Sequence, residues 1–235
     1  MNKTFFLMDA DMTLFDFKKA EAAAFRMACS KFGMDVGAEE YALYHRINDA
    51  LWKKLEKGEV TQGELRILRF EQLKEALHAD YEPAALNAVY SHALGEGCYL
   101  FEQALSIMQY LHRHAKVCIL TNGIADVQKR RLQLSGLRPY VDALVISQEE
   151  GISKPDARIV ECALERLGCR DKRQAVIVGD SLSSDMLAAK NAQVDGIWYN
   201  PLGLRNPGDN EYIKAEIKEL HELVRFVHKE DGKNG

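Results

Sequence analysis

The sequence is poor in the features that would take it out of the class of ordinary globular domains. No run approaches the roughly 20 consecutive apolar residues of a membrane span, so no membrane partner is expected. Neither sign of charge dominates: 31 Lys and Arg face 35 Asp and Glu, a net charge of -4. A nucleic-acid binder carries a strong basic excess, so a nucleic-acid polymer is excluded as partner. A small phosphorylated substrate needs only a local positive site and stays open. The cysteines (Cys29, Cys98, Cys118, Cys162, Cys169) are odd in number and form no C-x-x-C pair. That speaks against a disulfide framework or a zinc site and fits a reducing cytoplasm. The apolar run that begins the chain stops at Asp9, too short for a secretory leader, and no small-residue cleavage site follows. Internal repeats and low-complexity segments are absent. The 47% hydrophobic and 28% charged shares exclude a disordered tail, a collagen and a long coiled coil. A chain of 235 residues, at roughly 150 per domain, points to one large domain or one domain carrying an insertion.

Five short apolar runs read as buried strands: Phe5 to Met8, Lys116 to Leu120, Ala143 to Ile146, Ala175 to Val178 and Gly196 to Tyr199. Near-continuous apolar runs without alternation suit parallel strands covered on both faces. Helical spacing of apolar residues recurs between them, at Phe101 to His114, Ala125 to Ser135, Asp156 to Leu167 and Asp185 to Ala192. The alternation predicts an α/β domain with a parallel sheet. The segment from Lys18 to Leu94 breaks the pattern, with four helical stretches (Ala20 to Phe32, Glu39 to Lys57, Gln62 to His78, Pro83 to Leu94) and no strand. The expected organisation is therefore an α/β core of residues 1–17 and 95–235 with a helical module, residues 18–94, inserted into it. The polar tail from Lys229 to Gly235 is expected to fray.

Polar residues gather where the predicted strands end. The first run closes in Asp9-Ala10-Asp11-Met12-Thr13. Residues i and i+2 of a strand face the same way, and two carboxylates there repel unless they share a cation or a proton. A helix-capping turn would also use an Asp at this point. Thr121-Asn122-Gly123 closes the second run; it is an ordinary strand–turn–helix junction that can equally hold a phosphate. Ser153-Lys154-Pro155-Asp156 precedes a helix, with Pro155 suited to its first turn and Ser153 or Lys154 near its cap. Lys154 is either a solvated lysine or a fixed cation aimed at phosphate and carboxylate oxygens. Gly179-Asp180 closes the fourth run, and Asp185 opens the next helix. Ligands of open parallel sheets bind outside the strands' carboxyl ends. A cluster of Asp9, Asp11, Asp180 and Asp185 around a hard divalent cation, offset by Lys154, is physically coherent.

Taken in order, Asp9-Ala10-Asp11-Met12-Thr13, Thr121-Asn122-Gly123, Lys154-Pro155 and Gly179-Asp180 through Asp185 resemble the four motifs of the haloacid dehalogenase-like hydrolase superfamily. One departure is Met12, where the family often has Gly. The resemblance implies a Rossmann-like core with a parallel sheet and an inserted four-helix, C1-type cap. The pieces Leu51-Trp52, Gly58-Glu59-Val60-Thr61 and Arg69-Phe70, with Val145 to Gly151 and Trp198-Tyr199-Asn200-Pro201, resemble the pyrimidine 5′-nucleotidase (house-cleaning nucleotidase) branch. Trp52 is then either cap core or a specificity residue.

The resemblance implies a phosphoric monoester hydrolase that depends on Mg2+ and splits nucleoside monophosphates. Asp9 would attack phosphorus and form an aspartyl-phosphate. Asp11 would protonate the leaving oxygen and later activate water. Asp9, the backbone carbonyl of Asp11, and Asp180 would bind Mg2+, with Asp185 in support. Thr121, the Asn122 N–H and Lys154 would hold the phosphoryl oxygens, and the cap would close over the site and choose the substrate. Other readings differ in consequence. A dehalogenase needs neither the second acid nor the metal, and Asp11 argues against it. A phosphonatase needs a Schiff-base lysine in the cap, where Lys18, Lys19, Lys31, Lys53 and Lys54 are available. A phosphatase or phosphomutase acting on a sugar phosphate would use the same aspartyl-phosphate. A phospho-accepting switch module without turnover lacks the inserted helices and carries its Asp on a middle strand.

Overall fold

The computed structural model describes residues 2–206, 208 and 211–228. The tail from Lys229 to Gly235, expected to fray, lies outside the described residues. Among the described residues six strands form one sheet: β1 (Phe5–Met8), β2 (Lys116–Thr121), β3 (Ala143–Ile146), β4 (Ala175–Gly179), β5 (Asp195–Tyr199) and β6 (Ile213–Ile217). Their order is β3-β2-β1-β4-β5-β6 and every pairing is parallel. This is the doubly wound order, with its switch point between β1 and β4. Phe6, Leu7 and Met8 of the central strand are fully buried, as an all-parallel sheet demands.

All five strands expected from apolar runs are present. The sixth escaped because it reads Ile213-Lys214-Ala215-Glu216-Ile217, an alternating pattern with Lys214 and Glu216 exposed at the sheet edge. A search for continuous apolar runs passes over such a strand. At the opposite edge the Leu144 carbonyl of β3 accepts a hydrogen bond from Arg166 Nη1 at 2.8 Å.

Four helices fill the stretch between β1 and β2: α1 (Phe17–Lys31), α2 (Ala38–Glu56), α3 (Gln62–Leu77) and α4 (Pro83–Glu96). Local chemistry sets their ends. Thr61 and Glu64 form a capping box at α3, the Glu64 N–H donating to Thr61 Oγ1 at 3.2 Å and the Thr61 N–H to Glu64 Oε2 at 2.7 Å. Pro83 opens α4, where its missing N–H costs nothing. A fifth helix, α5 (Ala104–His114), leads into β2, and beyond β2 follow α6 (Ala125–Leu134), α7 (Ser147–Glu150), α8 (Ala157–Leu167) and α9 (Leu187–Ala192). Buried Ile159, Val160, Ala163 and Leu164 of α8 join Leu7, Leu120 and Ile177 of the sheet and Ala188 and Ala189 of α9 in one apolar cluster.

Two helix starts differ from expectation. Asp156 is the N-cap of α8, its side chain accepting the Arg158 N–H at 2.9 Å. Pro155 therefore precedes the cap instead of sitting in the first turn, and neither Ser153 nor Lys154 caps, because the stronger capping residue lies one step beyond them. Asp185 does not open a helix either. Ser181 Oγ accepts the Ser184 N–H at 3.1 Å, and a π-helical turn, Leu182–Met186, runs ahead of α9.

The chain divides into two units. One contains the chain up to Asp16, then Leu100–Ala125 and the part from Leu132 onward; the other comprises Phe17–Tyr99 and Asp126–Arg131. The second has an interior of its own. Phe25, Tyr44, Phe70 and Tyr90, one from each of α1 to α4, meet in sequence with ring centroids 4.7, 5.5 and 5.4 Å apart, the first two pairs stacked and the last edge-to-face. Beside the rings runs a buried polar string, again one residue per helix. Glu21 accepts from Asn48 Nδ2 at 2.8 Å, Arg69 Nη1 donates to Asn48 Oδ1 at 3.4 Å, and Arg69 Nη2 donates to Asn87 Oδ1 at 2.8 Å. The Arg69 guanidinium lies over the Tyr90 ring, 4.5 Å from its centroid. Among the described residues no helix is long and apolar enough to cross a membrane, and none of the five cysteines is paired.

Candidate active site

The sheet register brings the strand-end residues together. Met8, the last residue of β1, pairs with Ile119 on one side and Val178 on the other, so β1, β2 and β4 end within two residues of one another. Asp9 is the first residue after β1, and its N–H donates to the Val178 carbonyl at 2.8 Å. One Asp9 oxygen, Oδ2, accepts from Thr13 Oγ1 at 3.0 Å; the other, Oδ1, accepts from Lys154 Nζ at 2.6 Å. Lys154 Nζ also donates to Asp185 Oδ1 at 2.6 Å and to the Leu120 carbonyl at 2.9 Å. The lysine is buried. Of the two readings open at the sequence level, the solvated lysine is excluded.

Asp9, Asp180 and Asp185 each present a carboxylate oxygen within 4.8 Å of the others. Asp180 follows β4 directly, and its backbone carbonyl accepts from Trp198 Nε1 of β5 at 2.8 Å. Asp185 folds back beneath it, Oδ2 accepting the Ser181 N–H at 3.0 Å. That approach requires glycine at 179: a Cβ there would lie 2.3 Å from Asp185 Cγ. The carboxyl of Asp11 is not among the three that converge, although Asp11 follows Asp9 by two residues. Between Asp9 and Phe15 the chain makes a tight turn, with the Met12 N–H donating to the Phe15 carbonyl at 2.8 Å and Met12 at φ 64°. This left-handed conformation favours glycine, so the unusual residue of the motif sits at a position whose demand is conformational.

Thr121 is buried at the end of β2, its Oγ1 accepting the Gly123 N–H at 3.1 Å. The Asn122 side chain is committed elsewhere, to the backbone of Lys154: Oδ1 accepts its N–H and Nδ2 donates to its carbonyl, both at 2.9 Å. Trp52 lies on α2 in the helical unit, partly buried. Thr13, Gly179 and Trp198 lie inside the motif stretches, but no local pattern gives them a role. Their effect, orienting Asp9, admitting Asp185 and fixing the Asp180 carbonyl, depends on neighbours remote in sequence.

The electrostatics are unbalanced. Burial, followed by repulsion from Asp185, holds the Asp9 carboxyl well above the usual carboxylate range, against the opposing pull of Lys154. The same two causes push Asp180 up to about 7. Burial works against the charged lysine, yet Asp185 and Asp9 lift Lys154 above its ordinary value. Three carboxylates and one ammonium leave an excess of negative charge in a poorly solvated place. The donors are all hard oxygens, so the set fits a divalent cation such as Mg2+.

A doubly wound sheet whose strand ends bear an acidic cluster bridged by a buried lysine defines the class: an α/β core with a polar site at the carboxyl ends of its parallel strands. Residues 6–199 match the family of haloacid dehalogenase-like hydrolases, and the chain belongs to that family. It is 34% identical over 221 residues to pyrimidine 5′-nucleotidase YjjG of Escherichia coli, covering 94% of this chain and 96% of that one. It is also 34% identical over 205 residues to pyrimidine 5′-nucleotidase PynA of Streptococcus pneumoniae, covering 86% of each. The magnesium-bound crystal structure of YfnB from Bacillus subtilis superposes with a TM-score of 0.88 at 30% identity, covering 96% of this chain and 98% of that one.

Proposed function

We propose that the protein is a Mg2+-dependent phosphomonoesterase that hydrolyses pyrimidine nucleoside monophosphates to nucleoside and phosphate. The observation that carries the reading is the Lys154 ammonium held 2.6 Å from both Asp9 and Asp185 at the ends of adjacent parallel strands. Relatives similar over most of the chain are pyrimidine 5′-nucleotidases. Asp9, Asp180 and Asp185 with the backbone carbonyl of Asp11 would hold Mg2+, which when bound neutralises phosphoryl oxygens and favours attack by an anion.

In the first step an Asp9 oxygen attacks phosphorus and the bond from phosphorus to the ester oxygen breaks. Asp11 gives its proton to the departing oxygen, releasing the nucleoside as an alcohol. In the second step a water attacks the phosphorus of the aspartyl-phosphate while Asp11 takes its proton. Asp9 leaves as a carboxylate and inorganic phosphate is released. Thr13 keeps the attacking carboxylate in register. Thr121, the Asn122 N–H and Lys154 hold the phosphoryl oxygens as charge shifts among them. The helical insertion acts as cap and selects the substrate, with Trp52 as the residue to examine. The unpaired cysteines fit a cytoplasmic setting.

Phosphate release with Mg2+ across nucleoside monophosphates, sugar phosphates and pyridoxal phosphate tests the proposal. A preference for UMP, dUMP or dTMP supports it, and Trp52→Ala should then alter that preference while sparing a small generic phosphoester. A preference for a sugar phosphate removes the nucleotidase assignment and leaves the chemistry. Turnover undiminished by a chelator removes the metal.

A further inference from the structure

Resting on the phosphatase reading for its kinetic readout, we propose that Asn122 is the positioning residue for Lys154: its side chain sets where the ammonium stands, without touching substrate. Lys154 lies in an irregular stretch, Ile152 to Asp156, that belongs to no strand or helix. No ladder fixes its backbone, and the following Pro155 has no N–H to extend one. The Asn122 amide supplies what a neighbouring strand would. It accepts the Lys154 N–H and donates to the Lys154 carbonyl, each at 2.9 Å. Among uncharged side chains, only a carboxamide offers a donor and an acceptor side by side in one plane. Reversing the amide would set NH2 against N–H and oxygen against oxygen, so the orientation is unambiguous.

The far end of the lysine is anchored to the same strand end. Nζ donates to the carbonyl of Leu120, two residues before Asn122, at 2.9 Å. Lys154 is thus strapped across the end of β2 at both its backbone and its head. Its two remaining acceptors, Asp9 Oδ1 and Asp185 Oδ1, belong to the site. A lysine has four rotatable side-chain bonds and no preferred fork geometry. With the backbone loose, the ammonium would have no fixed origin from which to reach both carboxylates. Asn122 Nδ2 also lies 3.5 Å from Ser184 Oγ, beside Asp185. The clamp therefore spans the loops after β2 and β4 and the irregular stretch that carries Lys154.

A displacement on the order of 1 Å at a reacting centre lowers turnover by about 10²-fold. Releasing the clamp has a sign of its own: with the ammonium withdrawn, Asp9 and Asp185 are less neutralised, so Mg2+ should bind as tightly or more tightly while turnover falls. Disruption of the fold would weaken both together. The experiment compares Asn122→Ala, Lys154→Met and the double variant by kcat and KM on the best monophosphate. It adds Mg2+ titration by calorimetry and a crystal structure of Asn122→Ala. In Asn122→Ala, kcat should fall about 10- to 100-fold with KM nearly unchanged and Mg2+ affinity kept or raised. On the Lys154→Met background the same change should cost less than about twofold, since residues acting through one another are not additive. Asn122→Ser carries the same comparison if Asn122→Ala does not fold. Wild-type turnover in Asn122→Ala, losses that multiply in the double variant, or Mg2+ binding lost from a folded variant would each overturn the proposal. The crystal structure decides even without any turnover: Nζ displaced from Asp9 and Asp185 supports the clamp, and Nζ unmoved ends it. Absence of phosphate release by the wild-type protein would count against the phosphatase reading alone.

Discussion

The two units each bury a charged network, and they do so in opposite ways. In the helical unit Glu21 and Arg69 are joined through Asn48, with Asn87 closing the string, and each helix contributes one member. One carboxylate is linked through an amide to one guanidinium, His45 and Tyr41 also hydrogen-bond the carboxylate, and helices carry every participant. At the strand ends of the other unit the participants come from loops and a π-helical turn, and three carboxylates surround one lysine that bonds to two of them. The first arrangement is close to neutral and acts like mortar that fixes how four helices pack. The second keeps an excess of charge that the protein alone does not resolve. Perturbed groups of that kind mark sites that do chemistry.

Removing the nucleophile should have the largest effect. Asp9→Asn preserves the size of the side chain and should lower phosphatase turnover by at least about 10³-fold with little loss of fold. Steady-state assays with circular dichroism check it, and activity within a few-fold of wild type would show that the excess charge serves another purpose. In the helical unit the corresponding cut acts on stability. Arg69→Leu removes the donor to the Asn48 and Asn87 amide oxygens and the cation over the Tyr90 ring, and should cost about 1–3 kcal/mol in urea unfolding. His45, 2.8 Å from Glu21, answers that carboxylate, so adding Glu21→Met to Arg69→Leu should not recover the loss; recovery would mean that Glu21 and Arg69 act as a pair.

A pH series sharpens the contrast further. Burial raises the Glu21 carboxyl above its usual 4.5, opposed by His45, which lies 2.8 Å away, and by Tyr41. A raised folded-state value means that stability from this group is complete below its unfolded value and is lost as pH rises through the folded one. Glu21→Gln removes that titration. Relative to wild type it should be least stable near pH 4 and gain steadily toward neutrality, which thermal melts at several pH values would show. The smallest effect belongs to the turn after β1. Met12→Gly relieves a left-handed backbone and should stabilise the protein by about 0.5–1 kcal/mol, the residual after glycine's own entropic cost. Activity should stay near wild type; a loss would reveal that the Met12 side chain itself serves the site.

Much of this contrast was legible beforehand, for identifiable reasons. Continuous apolar runs revealed β1, β2, β4 and β5 because a central parallel strand has no polar face, and β3 because its run is apolar throughout although it lies at the margin; the half-exposed edge strand β6 stayed hidden because it has a polar face. The acidic positions stood out because Asp9 and Asp180 each interrupt the chain directly after a buried run. What pairs with what was not legible. The bond from Lys154 to Asp9 spans 145 positions, and no local pattern announces that Asn122 serves a lysine 32 residues away. The helical polar string was equally silent, since Glu21, Asn48, Arg69 and Asn87 look like ordinary surface residues until their helices turn them inward.

The hydrogen bond from Arg166 to the Leu144 carbonyl bears on how the protein lives among copies of itself. A sheet that does not close leaves a strand at each margin able to recruit a foreign chain. On the β3 margin a guanidinium from α8 already occupies a backbone acceptor, and Arg166 is itself tethered to Glu150 at 2.5 Å. On the β6 margin Lys214 and Glu216 face outward as charges that an incoming apolar strand would have to bury. Both margins thus place charge in the way of an incoming strand, independently of anything that happens at the strand ends.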